Sequence, residues 1–500
     1  MDIKKGKLNV SISIIFKLIT MVMAIVVKVV LVDVCGNEVN GLNALYLSII
    51  GVLSVAELGV GGAITFCMYK PIVEGDNVTV SALYRLFQKL YLVIGGVILL
   101  GGVTLIPFLH IFARDYAELS VNMYVTFALM LVSVTLTYIF SAKTSLFNAY
   151  KNNYITTTIT QGGIVFQYVL QIITLYVTKS FAGYLICRIL SVLVQWIATE
   201  IVTKKKYSMI VKTKSRLDEE TKAKVQKNIK AMFMHKIGFV LVNTVDSVII
   251  SAFVGVVSLG QYSNYITILS SMVGVITLVF TSLTSVIGHL CVEEDKETAK
   301  RYCENLHLLN FIIGSVFFLG YYAVVDDLIA ILFSSDLVVG KSISFVITLN
   351  GFVQFMRRST LAFRDATGSF YEDRWKPLFE GIVNIVLSIL LVKFIGVTGV
   401  IVATIITNLT ICHIIEPYVL YKNAFSISPK PFYLKNYGMM VAFLVVLICE
   451  HFFLQSLVNP FAEMMVNGLI SIALSTILCS VVLFMNKAKI MHFVRFVKKG

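Results

Sequence analysis

Apolar stretches of about 20 residues recur along the whole chain, and a helix needs roughly that length to cross the hydrocarbon of a bilayer. Fourteen such stretches are readable, at 10–32, 42–69, 86–112, 119–142, 155–178, 180–202, 231–256, 262–290, 305–333, 340–363, 377–395, 397–421, 436–457 and 462–485. Backbone amides and carbonyls find no water inside a membrane, so each stretch is expected to close its hydrogen bonds internally as a helix. Of the 500 residues, 57% are hydrophobic and 14% charged, whereas a soluble domain sits near half apolar and about a quarter charged. The low charge runs the full length, which excludes a soluble domain carried on an anchor. Lys4, Lys5 and Lys7 resemble the start of a signal peptide, but the run that follows is too long and lacks a small-x-small cleavage site. The expected fold class is therefore all-α: a polytopic membrane protein with about 14 transmembrane helices.

The basic residues orient these helices. Of 42 Lys and Arg, 34 fall in the termini and loops of one side, four (Arg114, Lys179, Lys341, Lys393) on the other, and four (Lys17, Lys28, Arg188, Lys236) within spans. The positive-inside rule then places both termini in the cytoplasm. It also accounts for the net charge of +14 without nucleic acid. The loops on the other side are too short to fold into a domain.

Six spans separate the first from the seventh, so a duplication would give two halves in parallel orientation. Gly41-Leu42-Asn43-Ala44-Leu45-Tyr46 and Gly260-Gln261-Tyr262-Ser263-Asn264-Tyr265 open spans 2 and 8 at an offset of 219 residues, which also superposes Lys17 on Lys236. The expected organisation is two pseudo-symmetric six-helix lobes, 1–202 and 231–422, joined by a basic cytoplasmic linker, 203–230, with an additional helix pair within 436–485.

The eight cysteines and seven histidines show no zinc, redox or i,i+4 spacing. No phosphate-binding glycine loop or nucleophile elbow occurs. The cysteines read as small packing residues. No catalytic residue, metal ligand or enzymatic activity is expected.

Ionisable groups at membrane depth cost about 2.5–3.5 kcal/mol each and by default mark a functional pathway. Lys17 and Lys28 lie about three turns apart on one face of the first span, roughly 16 Å along the axis. Each is close enough to a membrane surface to snorkel, or else lines a cavity. Glu57, followed by Gly59, Gly61 and Gly62, sits at the depth of Lys17, and the two are placed to pair. The glycines fit close helix approach or a bend. Asp246, sharing a face with Asn243 and Ser247, has no cation near it in sequence; its partner is another helix, an ion, a proton or a substrate. Arg188, always charged, lies too deep in span 6 to snorkel with ease. Polar stripes run along Asn350, Gln354 and Arg357, along Glu380, Asn384 and Ser388, and along Gln161, Gln167 and Gln171, as interhelical hydrogen bonding or substrate contact requires. Substrate contact is expected from Lys17, Lys28, Arg188, Gln161, Gln354 and Asn384, and ion pairing or coupling from Glu57, Asp246 and Glu380. Asp326-Asp327 is expected as a solvated helix end.

Three groups of residues carry a family resemblance. The first is Gly41 to Tyr46 with Leu53-Ser54-Val55-Ala56-Glu57-Leu58-Gly59-Val60-Gly61 and Tyr69-Lys70-Pro71. The second is Asp246-Ser247-Val248-Ile249-Ile250-Ser251 followed by Gly260 to Tyr265. The third is Glu372-Asp373-Arg374, Lys376-Pro377-Leu378 and Glu380, with Glu416-Pro417-Tyr418. In this order they resemble bacterial oligosaccharide flippases of the Wzx type, whose superfamily includes multidrug and toxin extrusion transporters and lipid II flippases. The resemblance implies two six-helix lobes around a central cavity, working by alternating access. It implies a bacterial cell-membrane transporter that moves undecaprenyl-diphosphate-linked oligosaccharide repeat units from the inner to the outer leaflet for surface polysaccharide. The implied partners are this lipid-linked anionic glycan, membrane lipids and other polysaccharide-assembly membrane proteins. The protein is expected to be a monomer with no cofactor beyond a coupling Na⁺ or H⁺. Two rivals share some of these features. An ion-coupled multidrug exporter of the same fold would want an acidic cavity, whereas the charges within spans 1, 2, 6 and 7 lean basic. A membrane glycan polymerase or glycosyltransferase would need a larger outer loop.

Overall fold

The computed structural model describes residues 3–57, 60–213, 244–293, 295–367 and 375–486, with the isolated positions 217, 222, 223, 225 and 240. The expectations for Lys236, Asn243 and Glu372-Asp373-Arg374, and for most of the basic linker, lie outside these residues. Among the described residues every regular element is helical, and nine helices are long and apolar enough to cross a membrane. The chain divides by its internal contacts into two units, Met1–Gly260 and Gln261–Gly500.

The first unit contains α1 (Ile3–Cys35), α2 (Asn37–Leu53), α3 (Val60–Glu74), α4 (Asn77–Leu105), α5 (Met123–Ala149), α6 (Asn153–Thr178), α7 (Phe181–Lys206) and α8 (Thr244–Phe253). The α6 helix packs against both α1 and α7, and α5 against both α4 and α7. Helix starts are set by side-chain caps. Asp76 accepts from the Val78 and Thr79 amides at 3.1 and 2.9 Å, Asn122 from Tyr124 and Val125, both at 3.1 Å, and Ser180 from Gly183 at 3.2 Å, each satisfying donors that the first helical turn leaves open. The two junctions where predicted spans nearly touch are real breaks: Lys179 takes a left-handed φ of 50° after α6, and Gly396 has φ 57°. The stretch 42–69, expected as one span, is instead interrupted by a 3₁₀ turn at Ser54–Glu57. Gly61 and Gly62 lie in the first turn of the helix that starts anew at Val60.

A reciprocal contact joins the two copies of the repeated motif. Gly36 and Gly255, 219 residues apart, both have positive φ, 87° and 135°, and each ends the turn before a helix. A Cβ on Gly41 would strike the Val256 backbone, and one on Gly260 would strike the Asn37 carbonyl. The offset that relates the two glycines also relates Asn37 to Val256, so the contact maps onto itself. Asn37 and Asn40 donate across it to the Val257 and Gly260 carbonyls at 2.9 and 3.0 Å. Close backbone approach of this kind is what small residues permit between membrane helices.

The second unit holds most of α9 (Val256–Glu293), then α10 (Lys296–Leu332), α11 (Lys341–Met356), α12 (Arg358–Thr367), α13 (Lys376–Thr407), α14 (His413–Leu420), α15 (Lys430–Phe453) and α16 (Pro460–Met485). The predicted span 340–363 is two helices, broken at Arg357. The π-helical turns Asn408–Cys412 and Tyr421–Phe425 flank α14, where Pro417 withholds a backbone donor. The α10 helix is the hub, packing against α11, α12, α15 and α16 over a core rich in Phe311, Phe318, Phe352 and Phe443.

Candidate functional site

In the first unit, α1, α6 and α7 bring the predicted basic residues to two levels. Lys28 lies seven residues before the end of α1 and Arg188 seven after the start of α7, each about 10 Å in from the helix end. These ends are neighbours, since the Cys35 thiol lies 4.0 Å from the Lys179 carbonyl. Both side chains are half-buried. Arg188 is flanked by Tyr168 and Tyr184, and Gln171 holds Tyr184 in place by donating to its carbonyl at 3.1 Å. Among the described residues no carboxylate pairs with Arg188. Lys17 and Gln161 form the second level, where Phe16 packs on Gly162. Lys17 is exposed and Gln161 half-buried. Gln167 and Gln171 are buried and joined by a hydrogen bond of 3.3 Å, so the far part of that stripe serves helix packing.

The expected Lys17–Glu57 pair does not form. Glu57 sits at the helix break, and the elements packed there are α4 and α5, whose Tyr138 and Tyr91 hydroxyls donate to it at 2.8 and 3.4 Å. Two tyrosines serve the carboxyl, and among the described residues no cation pairs with it. Asp246 is half-buried on α8, two residues after Thr244, which packs on Gly51 of α2. Sequence reasoning missed an ion pair that does form. Lys143, assigned to a loop, is buried in α5 and pairs with Glu200 of α7, which also accepts from the Trp196 indole at 3.1 Å.

The second unit gathers Arg357, Lys376, Glu380 and Glu416 into one buried network. Arg357 grips Glu416 through two nitrogens at 2.5 and 3.1 Å and reaches Glu380 at 3.4 Å and Asn408, in the first π turn, at 2.6 Å. Lys376 pairs with Glu380 at 2.9 Å and Glu416 at 2.5 Å. Two cations meet two carboxylates, so Glu380 is an ion-pair member rather than an acid awaiting a coupling ion. Arg357, the last member of the stripe begun by Asn350 and Gln354, is half-buried, and Lys376 is buried. Asn384 is fully buried and donates to Thr404 at 2.9 Å, bridging the two halves of α13. Gln354 is exposed and donates to Asn350 at 3.1 Å. Asp326 and Asp327 are each 5% exposed, not the solvated helix end expected.

No family model matches the chain, and no curated protein does. Among solved structures, an inward-facing multidrug resistance MATE family transporter of the MOP superfamily has a TM-score of 0.63 at 13% identity, covering 87% of this chain and 98% of the other. The lipid II flippase MurJ, in an inward closed conformation, has a TM-score of 0.63 at 16% identity, covering 95% and 98%. The Vibrio cholerae MATE transporter VcmN has a TM-score of 0.53 at 14% identity, covering 85% and 99%. The chain shares the fold of these solved transporters.

Proposed function

We propose that this protein is a flippase that carries undecaprenyl-diphosphate-linked oligosaccharides from the inner to the outer leaflet of a bacterial cell membrane, by alternating access through fourteen crossings with both termini cytoplasmic. The observation that carries this reading is Arg188: a permanent cation within a membrane helix, flanked by two tyrosines and with no carboxylate partner among the described residues. A buried cation without a counter-charge is costly, and a bound diphosphate relieves that cost. Lys28 stands at the same depth on a neighbouring helix and supplies a second positive group. Unaided, a diphosphate faces a prohibitive desolvation penalty in hydrocarbon, which fixed positive charge offsets. The tyrosine hydroxyls and the half-buried Gln161 offer hydrogen bonds to sugars. Multidrug transporters share the fold, but a pair of half-buried cations disfavours their cationic cargo.

The test is complementation of a deletion strain with Arg188→Ala and Lys28→Ala, measuring surface glycan and lipid-linked intermediates at equal protein levels. Losing one charge-assisted contact worth about 1.5–3 kcal/mol lowers substrate affinity roughly 10- to 100-fold. Glycan is expected to fall and intermediates to accumulate. Unchanged glycan in both variants would remove the site.

A further inference from the structure

At one end of the second unit, four helix termini bring acids together with too few cations to balance them. Asp326 and Asp327 close α10, Lys341 opens α11, Glu450 and His451 lie near the end of α15, and Glu463 lies in the first turn of α16. The members are not equivalent. Asp326 is well served: Tyr265 of α9 donates to one oxygen at 2.7 Å, while Ser344 at 3.2 Å and the Lys341 ammonium at 3.5 Å serve the other. His451 is engaged with the Tyr322 hydroxyl at 2.5 Å. Among the described residues Lys341 is thus the single ammonium facing the four carboxyls, and Asp326 already pairs with it.

Three acids remain. Asp327 and Glu463 face each other. Glu463 also accepts from the Leu457 amide at 2.9 Å, and one Asp327 oxygen is buried without a hydrogen bond. Glu450 is 0% exposed, and neither of its oxygens completes a hydrogen bond, although the Ser471 hydroxyl of α16 stands beside it. A lone ionised carboxylate in that position is strongly disfavoured, and two facing carboxyls do not both ionise readily. Among the described residues no three metal-ligating side chains are close enough to hold a metal ion.

We propose that this end of the second unit is a proton-binding site, with one proton shared between Asp327 and Glu463 and another on Glu450, where it is placed to be donated to Ser471. The protons come from water at that membrane surface, each converting a carboxylate to a carboxylic acid. Taken with the flippase reading, on which this point rests, the site supplies the coupling ion for transport. Releasing its protons would set uncompensated negative charge between α10, α15 and α16 and loosen their packing.

The experiment is difference infrared spectroscopy of the purified full-length protein in lipid nanodiscs, following the carbonyl stretch of protonated carboxyls from about pH 5 to about pH 9. A protonated-carboxyl band is expected at neutral pH and should disappear in alkali. Glu450→Gln and Asp327→Asn, which keep size and polarity, should each remove part of it. No such band at neutral pH, or a band unchanged in both variants, would overturn the proposal, as would its displacement by Na⁺ at fixed pH. The reading needs no glycan, so its failure is distinct from failure of the flippase assignment.

Discussion

Glu416 is fully enclosed and accepts from Arg357 and Lys376, 59 and 40 residues earlier in the chain. Its worth lies in what would be stranded without it. Removing one partner of a buried ionic network destabilises by about 3–5 kcal/mol, because the remaining charges lose their compensation. Glu416→Gln is therefore expected to lower the thermal midpoint of the detergent-solubilised protein sharply, since it leaves two cations to one carboxylate. The double change Glu416→Gln with Lys376→Met, which restores neutrality, should recover much of the loss. Equal destabilisation in the single and double variants would show that shape, not charge balance, is what matters. Arg188 contrasts with Arg357 at this scale. The two are the same residue type, but Arg357 is neutralised within the chain, whereas Arg188 has no carboxylate among the described residues.

The helices of this protein stop and bend for local reasons. Gly396 adopts φ 57° with no atom where a Cβ would go, so Gly396→Ala should cost only the backbone penalty, about 1 kcal/mol. Gly41 has ordinary backbone geometry but a carbonyl in the way. Gly41→Ala should cost more, because a backbone cannot swing aside as a side chain can. Thermal midpoints of the two variants check the order, and the reverse order would mean that the α2–α9 crossing is looser than it looks. The capping acids add a pH dependence. Amide and hydroxyl donors hold Asp76 and Asp295 below the usual carboxylate range. Each cap therefore contributes stability that is present above the unfolded value near pH 4 and is lost as pH falls through the lower folded value. Exchange protection of the Val78 and Thr79 amides should exceed that in Asp76→Ala at neutral pH, and the two should converge in acid. A constant gap across that range would separate the cap from the charge.

For the whole molecule, 34 of 42 basic residues on one side predict that tags at both termini react only with reagents admitted to the cytoplasm. A single externally labelled terminus would require an odd number of crossings. The apolar helices, the breaks at Lys179 and Gly396 and the offset of 219 residues were legible in the linear chain, since each depends on composition within a window or on a motif repeated at fixed spacing. Glu416, Glu380 and Lys376 were visible as parts of short motifs, but not as parts of one another's surroundings. Lys143 and the Asp326-Asp327 pair were misplaced for the same reason: a charge near the end of an apolar run looks solvated until the neighbouring helices are known. Hydrophobicity and backbone hydrogen bonding act over tens of residues, so the sequence determined that the chain is a helical membrane protein. Charge compensation acts over a few ångströms between residues far apart in the chain. Only tertiary structure decided that Glu57 faces tyrosines, that Arg357 is neutralised, and that among the described residues Arg188 meets no carboxylate and the Glu450 oxygens complete no hydrogen bond.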